Sequence, residues 1–516
     1  MKSKNFLLAV CLFSMQLTAF AQNNKAPNII YILADDLGIG DVSAFNAQSK
    51  LNTVHIDKLS QDGMIFTDAH TSSAVCTPTR YSILTGRYNW RTHLKNGVLS
   101  GFSKSLITPE RTTVAKVLHD KGYTTAFVGK WHLGWDWALK PFKKNLDDLN
   151  AHPEVDYSQA LTSGPNDIGF DYSYGFSGSL DMAPYVYVEN GKATALPTDT
   201  TISVEDKGFW RKGVTSPDFV HAEVLQHVTD KSIAFINKNA SNEKPFFLYF
   251  ALPAPHTPIL PTTEFLGKSN TNFYGDFVLQ VDDVVGQIEA VLKEKGISDN
   301  TLIIFTSDNG CSPKANFNEL ARVSHDPSYI YRGHKADIYE GGHRVPFVVK
   351  WPKQVPAGTK STQTICTTDF FATAAEITGY KMDDTMGEDS YSFLNILKDP
   401  KNAKASREAT VHHSIDGRFA IRKDQWKLVL WPGSGGWTSP KSAKELDGLP
   451  PYQLFDLDKD PAEENNLYAS NPAKVKELEA LMKKYINEGR STPGKIQKND
   501  EVKEWKQLEW MTKTGR

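Results

Sequence analysis

Near-continuous apolar runs alternate with amphipathic stretches along most of the chain. Asn28-Ile29-Ile30-Tyr31-Ile32-Leu33, Thr124 to Val128, Pro245 to Ala251, Thr301 to Phe305 and Val345 to Val349 are β-rich runs with few polar positions. Such runs mark strands covered on both faces. Between them, Ile56 to Gly63, Val114 to Gly122, His221 to Asn237 and Phe277 to Leu292 read as helices. In the last, Val278, Val281, Val284, Val285, Ile288 and Val291 recur at helical spacing. This alternation predicts an α/β fold with a large mixed, mostly parallel sheet sandwiched by helices. After about residue 400 the pattern changes. Arg418 to Ile421, Trp426 to Trp431 and Tyr452 to Leu457 read as short antiparallel strands, and Lys474 to Tyr485 as a closing helix. The predicted organisation is a leader over 1–21, a large α/β unit over 22–400, and a smaller α+β unit of antiparallel sheet plus helix over 401–516. Residues 135 to about 215 show no period and read as a long irregular insertion of the kind that carries binding loops.

The leader changes the expected compartment. Lys2 and Lys4 precede an apolar stretch from Phe6 to Phe20, and Ala19-Phe20-Ala21 fits a signal-peptidase site that would leave Gln22 first. An exported, periplasmic protein is expected. A competing lipoprotein reading at Leu8-Ala9-Val10-Cys11 is disfavoured because the apolar stretch continues well past Cys11. No later run reaches the roughly 18 apolar residues of a membrane span, so stable membrane insertion is not expected. The net charge of -2 gives no footprint for nucleic acid, and an anionic ligand would need local positive charge. Cys76, Cys311 and Cys366 remain after the leader, an odd number that is no disulfide framework. Cys76 is the expected odd thiol.

Chemistry gathers where the predicted strands end. Asp35-Asp36 follows the first, Gly129-Lys130-Trp131-His132 the second, His256 the third (among Pro253, Pro255 and Pro258), and Asp308-Asn309 the fourth. In a parallel sheet, ligands collect outside the C-terminal strand ends. Adjacent carboxylates at such an end are costly to bury without a cation, and oxygen donors suit a hard metal. If the run stays extended, Lys130 and His132 share a side. Cys76-Thr77-Pro78-Thr79-Arg80 reads as a loop feeding a helix, with Cys76 at the anion-favouring N-terminus. Beside Arg80 its thiol is expected to ionise more readily. Asp181, in the aromatic-rich insertion, is a candidate polar ligand contact or a packed surface residue.

Cys76, Pro78 and Arg80, followed by Leu84-Thr85-Gly86, resemble the Cys-x-Pro-x-Arg signature of the type I (formylglycine-dependent) sulfatases, in the alkaline phosphatase superfamily. Asp35-Asp36, Gly129 to His132, Ser307-Asp308-Asn309-Gly310 and Phe455-Asp456-Leu457 resemble the family as well, so the likeness spans nearly the whole mature chain. The resemblance implies that a maturation enzyme converts Cys76 to formylglycine, whose hydrate is the nucleophile. It implies one Ca²⁺ held by Asp35, Asp36, Asp308 and Asn309, with the group at position 76 completing the set. Arg80 and Lys130 are then expected to support the formylglycine and His132 to help break down the sulfated intermediate. His256 and Lys335 are expected to face the sulfate, with His256 as general acid. Arg332 and His334 are candidate substrate contacts. Tyr274-Gly275-Asp276 and the Asp181 loop resemble members acting on galactose or N-acetylgalactosamine sulfates, so the expected substrate is a terminal sulfated sugar of a glycan. Two rival readings are a formylglycine-dependent phosphonate or phosphate-diester hydrolase and a non-catalytic glycan-binding homologue. A non-catalytic homologue is expected to have lost Cys76, Arg80 or a metal ligand, and this chain keeps all of them.

Overall fold

The computed structural model describes residues 25–404 and 407–512; the leader, its cleavage site and Cys11 lie outside the described residues. The strands before residue 400 are β1 (Asn28–Asp35), β2 (Met64–Phe66), β3 (Ala69–His70), β4 (Thr124–Lys130), β5 (Tyr172–Phe176), β6 (Val188–Glu189), β7 (Lys192–Ala193), β8 (Asp199–Ser203), β9 (Trp210–Thr215), β10 (Phe246–Pro255), β11 (Thr301–Ser307), β12 (Phe347–Lys350), β13 (Thr359–Ser361) and β14 (Ile365–Cys366). Ten of them form one sheet in the order β13-β2-β12-β11-β1-β10-β4-β5-β6-β7. Its centre, β11-β1-β10-β4-β5, is parallel, while β12 and β6 join antiparallel.

The apolar runs become the centre of this sheet because helices cover them. Every residue of β10 and β11 is buried, and so is every residue of β1 after Asn28. The helices α1 (Val54–Gln61), α2 (Cys76–Thr85), α3 (Val114–Asp120), α4 (Val224–Asn239) and α5 (Phe273–Glu294) divide into two layers. One holds α1, α4 and α5; α2 and α3 pack instead with the helix Phe370–Thr378. Tyr31 of β1 and Phe247 of β10 meet Phe370 at ring-centroid distances of 4.7 and 5.8 Å. Truncating such a buried aromatic costs roughly 3–5 kcal/mol.

The aperiodic stretch over 135–215 is not wholly irregular. Tyr172–Phe176 adds a parallel strand to the main sheet, and β8 and β9 form a separate hairpin. These strands are short, and four of the five residues of β8 are polar, so they leave no apolar run. The C-terminal region holds a second antiparallel sheet of β15 (Thr410–His413), β16 (Phe419–Lys423), β17 (Trp426–Val429) and β18 (Gln453–Asp456). The helix Pro472–Asn487 covers it, and Leu478 and Met482 share an apolar cluster with Ile421 and Leu428. The sequence pattern misses β15 because half of that strand is His412 and His413.

Candidate active site

Register sets the site. Asp35 pairs with Pro255 and Ala34 with Ser307, so β1, β10 and β11 end at one level. The next residues along, Asp36, His256 and Asp308, are therefore neighbours in space. Gly129, paired with Ala251, sits at φ 113°, and a Cβ there would stand 1.9 Å from the Ala251 carbonyl oxygen. Only glycine allows that approach, and it brings the following residue, Lys130, up to Asp35. Cys76 is the first residue of α2 and is buried. The site is thus assembled from four strand ends and one helix N-terminus.

The side chains interlock. Lys130 Nζ donates to Asp35 Oδ2 at 2.6 Å. Lys335 Nζ donates to Asp36 Oδ2 at 2.8 Å. Arg80 gives Nε and Nη2 to Asp308 Oδ2 at 3.0 and 2.7 Å, and Nη1 to the Lys130 carbonyl at 3.1 Å. Asn309 Nδ2 donates to Asp36 Oδ1 at 2.7 Å, which turns its Oδ1 the other way. His256 Nδ1 hydrogen-bonds the Thr257 carbonyl at 2.5 Å, leaving Nε2 3.7 Å from Asp36 Oδ2.

Three carboxylates therefore face three fixed cations, all buried. Burial opposes ionisation of Asp35, yet Lys130, His256 and Arg80 hold it well below the usual carboxylate range. Burial and the adjacent Asp35 push Asp308 up to about 7, although Arg80 donates to it twice. Two oxygens, Asp35 Oδ1 and Asn309 Oδ1, are buried without a hydrogen-bond partner. Unpaired buried acceptors are expensive, and crowded carboxylates repel. Asp35, Asp36 and His256 offer ligand atoms within 4.8 Å of one another. An oxygen-dominated donor set with orphaned acceptors fits a hard divalent cation. Such an ion would leave the site with a net positive charge, suited to an anion.

Two local expectations are corrected. The run from Lys130 to His132 is not extended: β4 ends at Lys130 and His132 lies at φ 57°, so alternation does not place the two side chains. His132 Nε2 instead contacts the Leu99 carbonyl at 2.8 Å, while Nδ1 is buried without a partner. Burial, with Lys130 and Arg80 adding to it, drives its pKa well below the ordinary value, so the ring is neutral and Nδ1 is a free acceptor. The Cys76 thiol, in turn, is harder to ionise than usual. Burial raises its pKa against Lys130 and Lys335, and the guanidinium of Arg80 is spent on Asp308. Asp36, at φ 67°, is a second non-glycine residue in the left-handed region. Each such residue holds strain of roughly 1–3 kcal/mol.

The substrate candidates scatter. Asp181 is not part of this cluster; it pairs with Arg211 at 2.5 Å. Arg332 donates to the Glu463 carbonyl at 2.8 Å, with its guanidinium 3.9 Å from the Tyr339 ring centroid. His334 contacts the Lys335 carbonyl through Nδ1 at 2.9 Å, and its ring lies 5.3 and 6.5 Å from those of Phe317 and Trp437. Cys311 and Cys366 are buried free thiols. A second buried cluster, His70, His343 and His412 with Asp68 and Glu340, has metal-like spacing. It also contains Arg344, Arg422 and Lys427, whose ion pairs already satisfy its acids.

The comparisons agree with this geometry. Residues 27–380 match the family model Sulfatase, and residues 333–492 match N-sulphoglucosamine sulphohydrolase, C-terminal. An N-acetylgalactosamine-6-O-sulfatase of Bacteroides thetaiotaomicron is 36% identical over 503 residues, covering 89% of this chain and 93% of its own. The Mus musculus N-acetylgalactosamine-6-sulfatase is 28% identical over 420 residues, 80% of this chain and 74% of its own. A solved structure concerning the metabolism of multiple glycosaminoglycans by Bacteroides thetaiotaomicron superposes with a TM-score of 0.78 at 32% identity, covering 89% of this chain and 99% of that one. With these matches over most of its length, a mostly parallel alkaline phosphatase-like sheet and a buried cluster of strand-end carboxylates and cationic side chains, the chain belongs to the sulfatase family and is a sulfuric ester hydrolase.

Proposed function

We propose that this enzyme removes the 6-O-sulfate from a terminal N-acetylgalactosamine, or a closely related galactose-type sugar, of a sulfated glycan. The buried pair of orphaned oxygens, Asp35 Oδ1 and Asn309 Oδ1, beside the Cys76 end of α2 carries the chemical part of this reading. The 36% identity to an N-acetylgalactosamine-6-O-sulfatase supports the sugar and the position.

Asp35, Asp36, Asp308 and Asn309 would hold one Ca²⁺, with the group at position 76. Bound there, the ion supplies positive charge that offsets the anionic ester and lowers the barrier to attack. A maturation enzyme converts Cys76 to formylglycine before or during export, and the hydrate of that aldehyde provides the attacking hydroxyl. The residues around it do the rest. Lys130 keeps Asp35 ionised and oriented, and Lys335 orients Asp36. Arg80 fixes Asp308 and ties it to the end of β4. Neutral His132, with Nδ1 unpaired, accepts a proton from the position-76 hydroxyl when the sulfated intermediate breaks down. His256, whose Nδ1–H donates to the Thr257 carbonyl, acts as general acid from Nε2 in its imidazolium form, which burial and Lys335 oppose and which Asp35, Asp36 and the anionic ester favour. Proton transfer from a positioned acid is worth roughly 10²–10⁴-fold in rate. The leader over 1–21 directs the enzyme to the periplasm, and the units over 22–400 and 401–516 act as one body around the site.

The test is a panel of 2-, 3-, 4- and 6-O-sulfated N-acetylgalactosamine and galactose, with a phosphate monoester alongside. Preferential release of sulfate from the 6-O-sulfated N-acetylgalactosamine is expected. Faster hydrolysis of the phosphate ester, or equal rates at all sulfate positions, would overturn the reading.

A further inference from the structure

Next to the site lies a cavity of about 740 Å³, lined by Asp206, Ser312, Lys314, Asn316, Phe317 and Trp437 among others. Its size falls within the ~300–1,000 Å³ typical of ligand pockets. It is tied to the reactive centre by three separate chain connections. Ser312 lies three residues past Asn309 on the loop that leaves β11. His334, beside Lys335, turns its ring toward Phe317 and Trp437. The 206–208 loop is bonded through the Lys207 carbonyl to Ile259 N–H at 2.8 Å, three residues past His256.

Trp437 is the unusual member. Its side chain belongs to the C-terminal region, yet it leaves that sheet to line a cavity beside residues of the large unit. It is 41% exposed, and it is the one exposed large apolar residue, among the described residues, that lines this cavity. Its backbone is nonetheless fixed. Asp337 Oδ1 accepts the N–H groups of Trp437 and Thr438 at 2.7 and 3.0 Å, and Asp337 Oδ2 accepts the Thr438 hydroxyl at 3.0 Å. The same Oδ2 accepts the His334 N–H at 3.1 Å. One carboxylate thus clamps the Trp437 loop to the loop that presents Lys335 to Asp36.

We propose that Trp437 is the platform on which the second sugar of the substrate packs, the sugar linked to the sulfated one. This rests on the glycan-sulfatase reading above. A pyranose has an apolar C–H face and a polar rim. An indole offers a large, rigid apolar face at little entropic cost, while Ser312, Asn316 and the Asp206–Lys314 pair, 2.9 Å apart, offer donors and acceptors at the rim. The preferred substrate is therefore a sulfated di- or oligosaccharide rather than a free sulfated monosaccharide. Trp437 is a specificity-determining residue, remote from the reacting sulfur.

The experiment compares kcat/KM of the matured, calcium-loaded enzyme on 6-O-sulfated N-acetylgalactosamine and on a disaccharide that carries it at the non-reducing end. Wild type, Trp437→Ala and Trp437→Phe are measured in parallel. The disaccharide-to-monosaccharide ratio is expected to fall at least about 10-fold in Trp437→Ala, mainly through KM, and to recover most of its value in Trp437→Phe. An unchanged ratio in Trp437→Ala overturns the proposal. Calorimetric binding of the desulfated disaccharide gives a reading independent of turnover. If wild type desulfates neither compound, the proposed function fails, and the platform is judged by binding alone. Weaker binding to Trp437→Ala then supports it, and equal binding to both proteins overturns it.

Discussion

Two buried ionic clusters of this molecule are built from similar parts and end in opposite states. At the strand ends, Asp35, Asp36 and Asp308 meet Arg80, Lys130 and Lys335, and two acceptor oxygens still lack partners. Where the C-terminal sheet docks, Asp68 meets Arg422 and Arg344 at 2.6 and 3.1 Å, Glu340 meets Lys427 at 3.1 Å, and Lys427 reaches Glu463 at 2.8 Å. Its histidines are used up as well: His70 Nδ1 faces His343 Nδ1 at 3.1 Å, and His70 Nε2 faces Asp68 at 2.9 Å. Lys427 Nζ donates to His343 Nε2 at 3.1 Å. Each cluster sets three carboxylates against three cations; the difference is that the first leaves Asp35 Oδ1 and Asn309 Oδ1 without a hydrogen bond, whereas Asp68, Glu340 and Glu463 each meet a cation within 3.1 Å. Carboxylates and imidazoles within ligand distance of each other therefore do not make a metal site. Buried acceptor oxygens left without a hydrogen bond, as Asp35 Oδ1 and Asn309 Oδ1 are, point to one.

The largest test of that contrast is chemical. Cys76→Ala is expected to lower kcat by at least about 10⁴-fold, as loss of a nucleophile does, with an unchanged circular dichroism spectrum. Next come paired substitutions, one in each cluster. Asp308→Asn removes the carboxylate charge that Arg80 pairs with, and Lys427→Met strands Glu463 and leaves Glu340 to Arg344. Either is expected to cost about 3–5 kcal/mol of stability in urea unfolding, the usual penalty for half of a buried ion pair. Only Asp308→Asn is expected to abolish calcium binding, measured by metal analysis after dialysis. Loss of calcium in Lys427→Met would break the distinction.

Removing calcium by chelation is a smaller perturbation. It is expected to lower Tm, and restoring the ion to 100 times its Kd should return about 2.7 kcal/mol. The smallest effect belongs to the closed cluster. Burial, then His70 and Lys427, hold His412 well below its ordinary pKa. It is neutral when folded and takes up a proton on unfolding once the pH drops below about 6.5. Its contribution to stability is full above that pH and declines as the pH falls. In His412→Gln the loss of stability between pH 6.5 and 5 is expected to be shallower by up to about 1.4 kcal/mol per pH unit, as read from urea unfolding at each pH. Identical slopes would show that His412 titrates alike in both states.

Much of this was legible in the sequence, for a physical reason. The central strands are covered on both faces, so they leave uninterrupted apolar runs, and in a parallel sheet the residues after those runs share one edge. Asp35, Asp36, Lys130, His132, His256, Asp308 and Asn309 share that edge by this reasoning; all but His132 meet in direct contacts, and His132 turns to the Leu99 carbonyl. What was not legible depends on backbone irregularity or on partners far along the chain. The left-handed turn at His132 has no apolar signature. The thiol of Cys76 looked activated by Arg80 because only sequence neighbours were visible, whereas Asp308, 228 positions after Arg80, takes that charge. Asp181 was grouped with the binding loops before its partner Arg211 was known. Trp437 was passed over altogether. The signal that points to it is the run Gly433-Ser434-Gly435-Gly436 ahead of it, which lets an aromatic side chain stand at a cavity mouth.

The account turns on residue 76. Mass analysis of the tryptic peptide that carries it, taken from active enzyme made in its native host, tests this most directly. An aldehyde or its hydrate at position 76, in proportion to specific activity across preparations, is the predicted result. An unmodified cysteine thiol in protein that releases sulfate from a sulfated sugar at the full rate would contradict it.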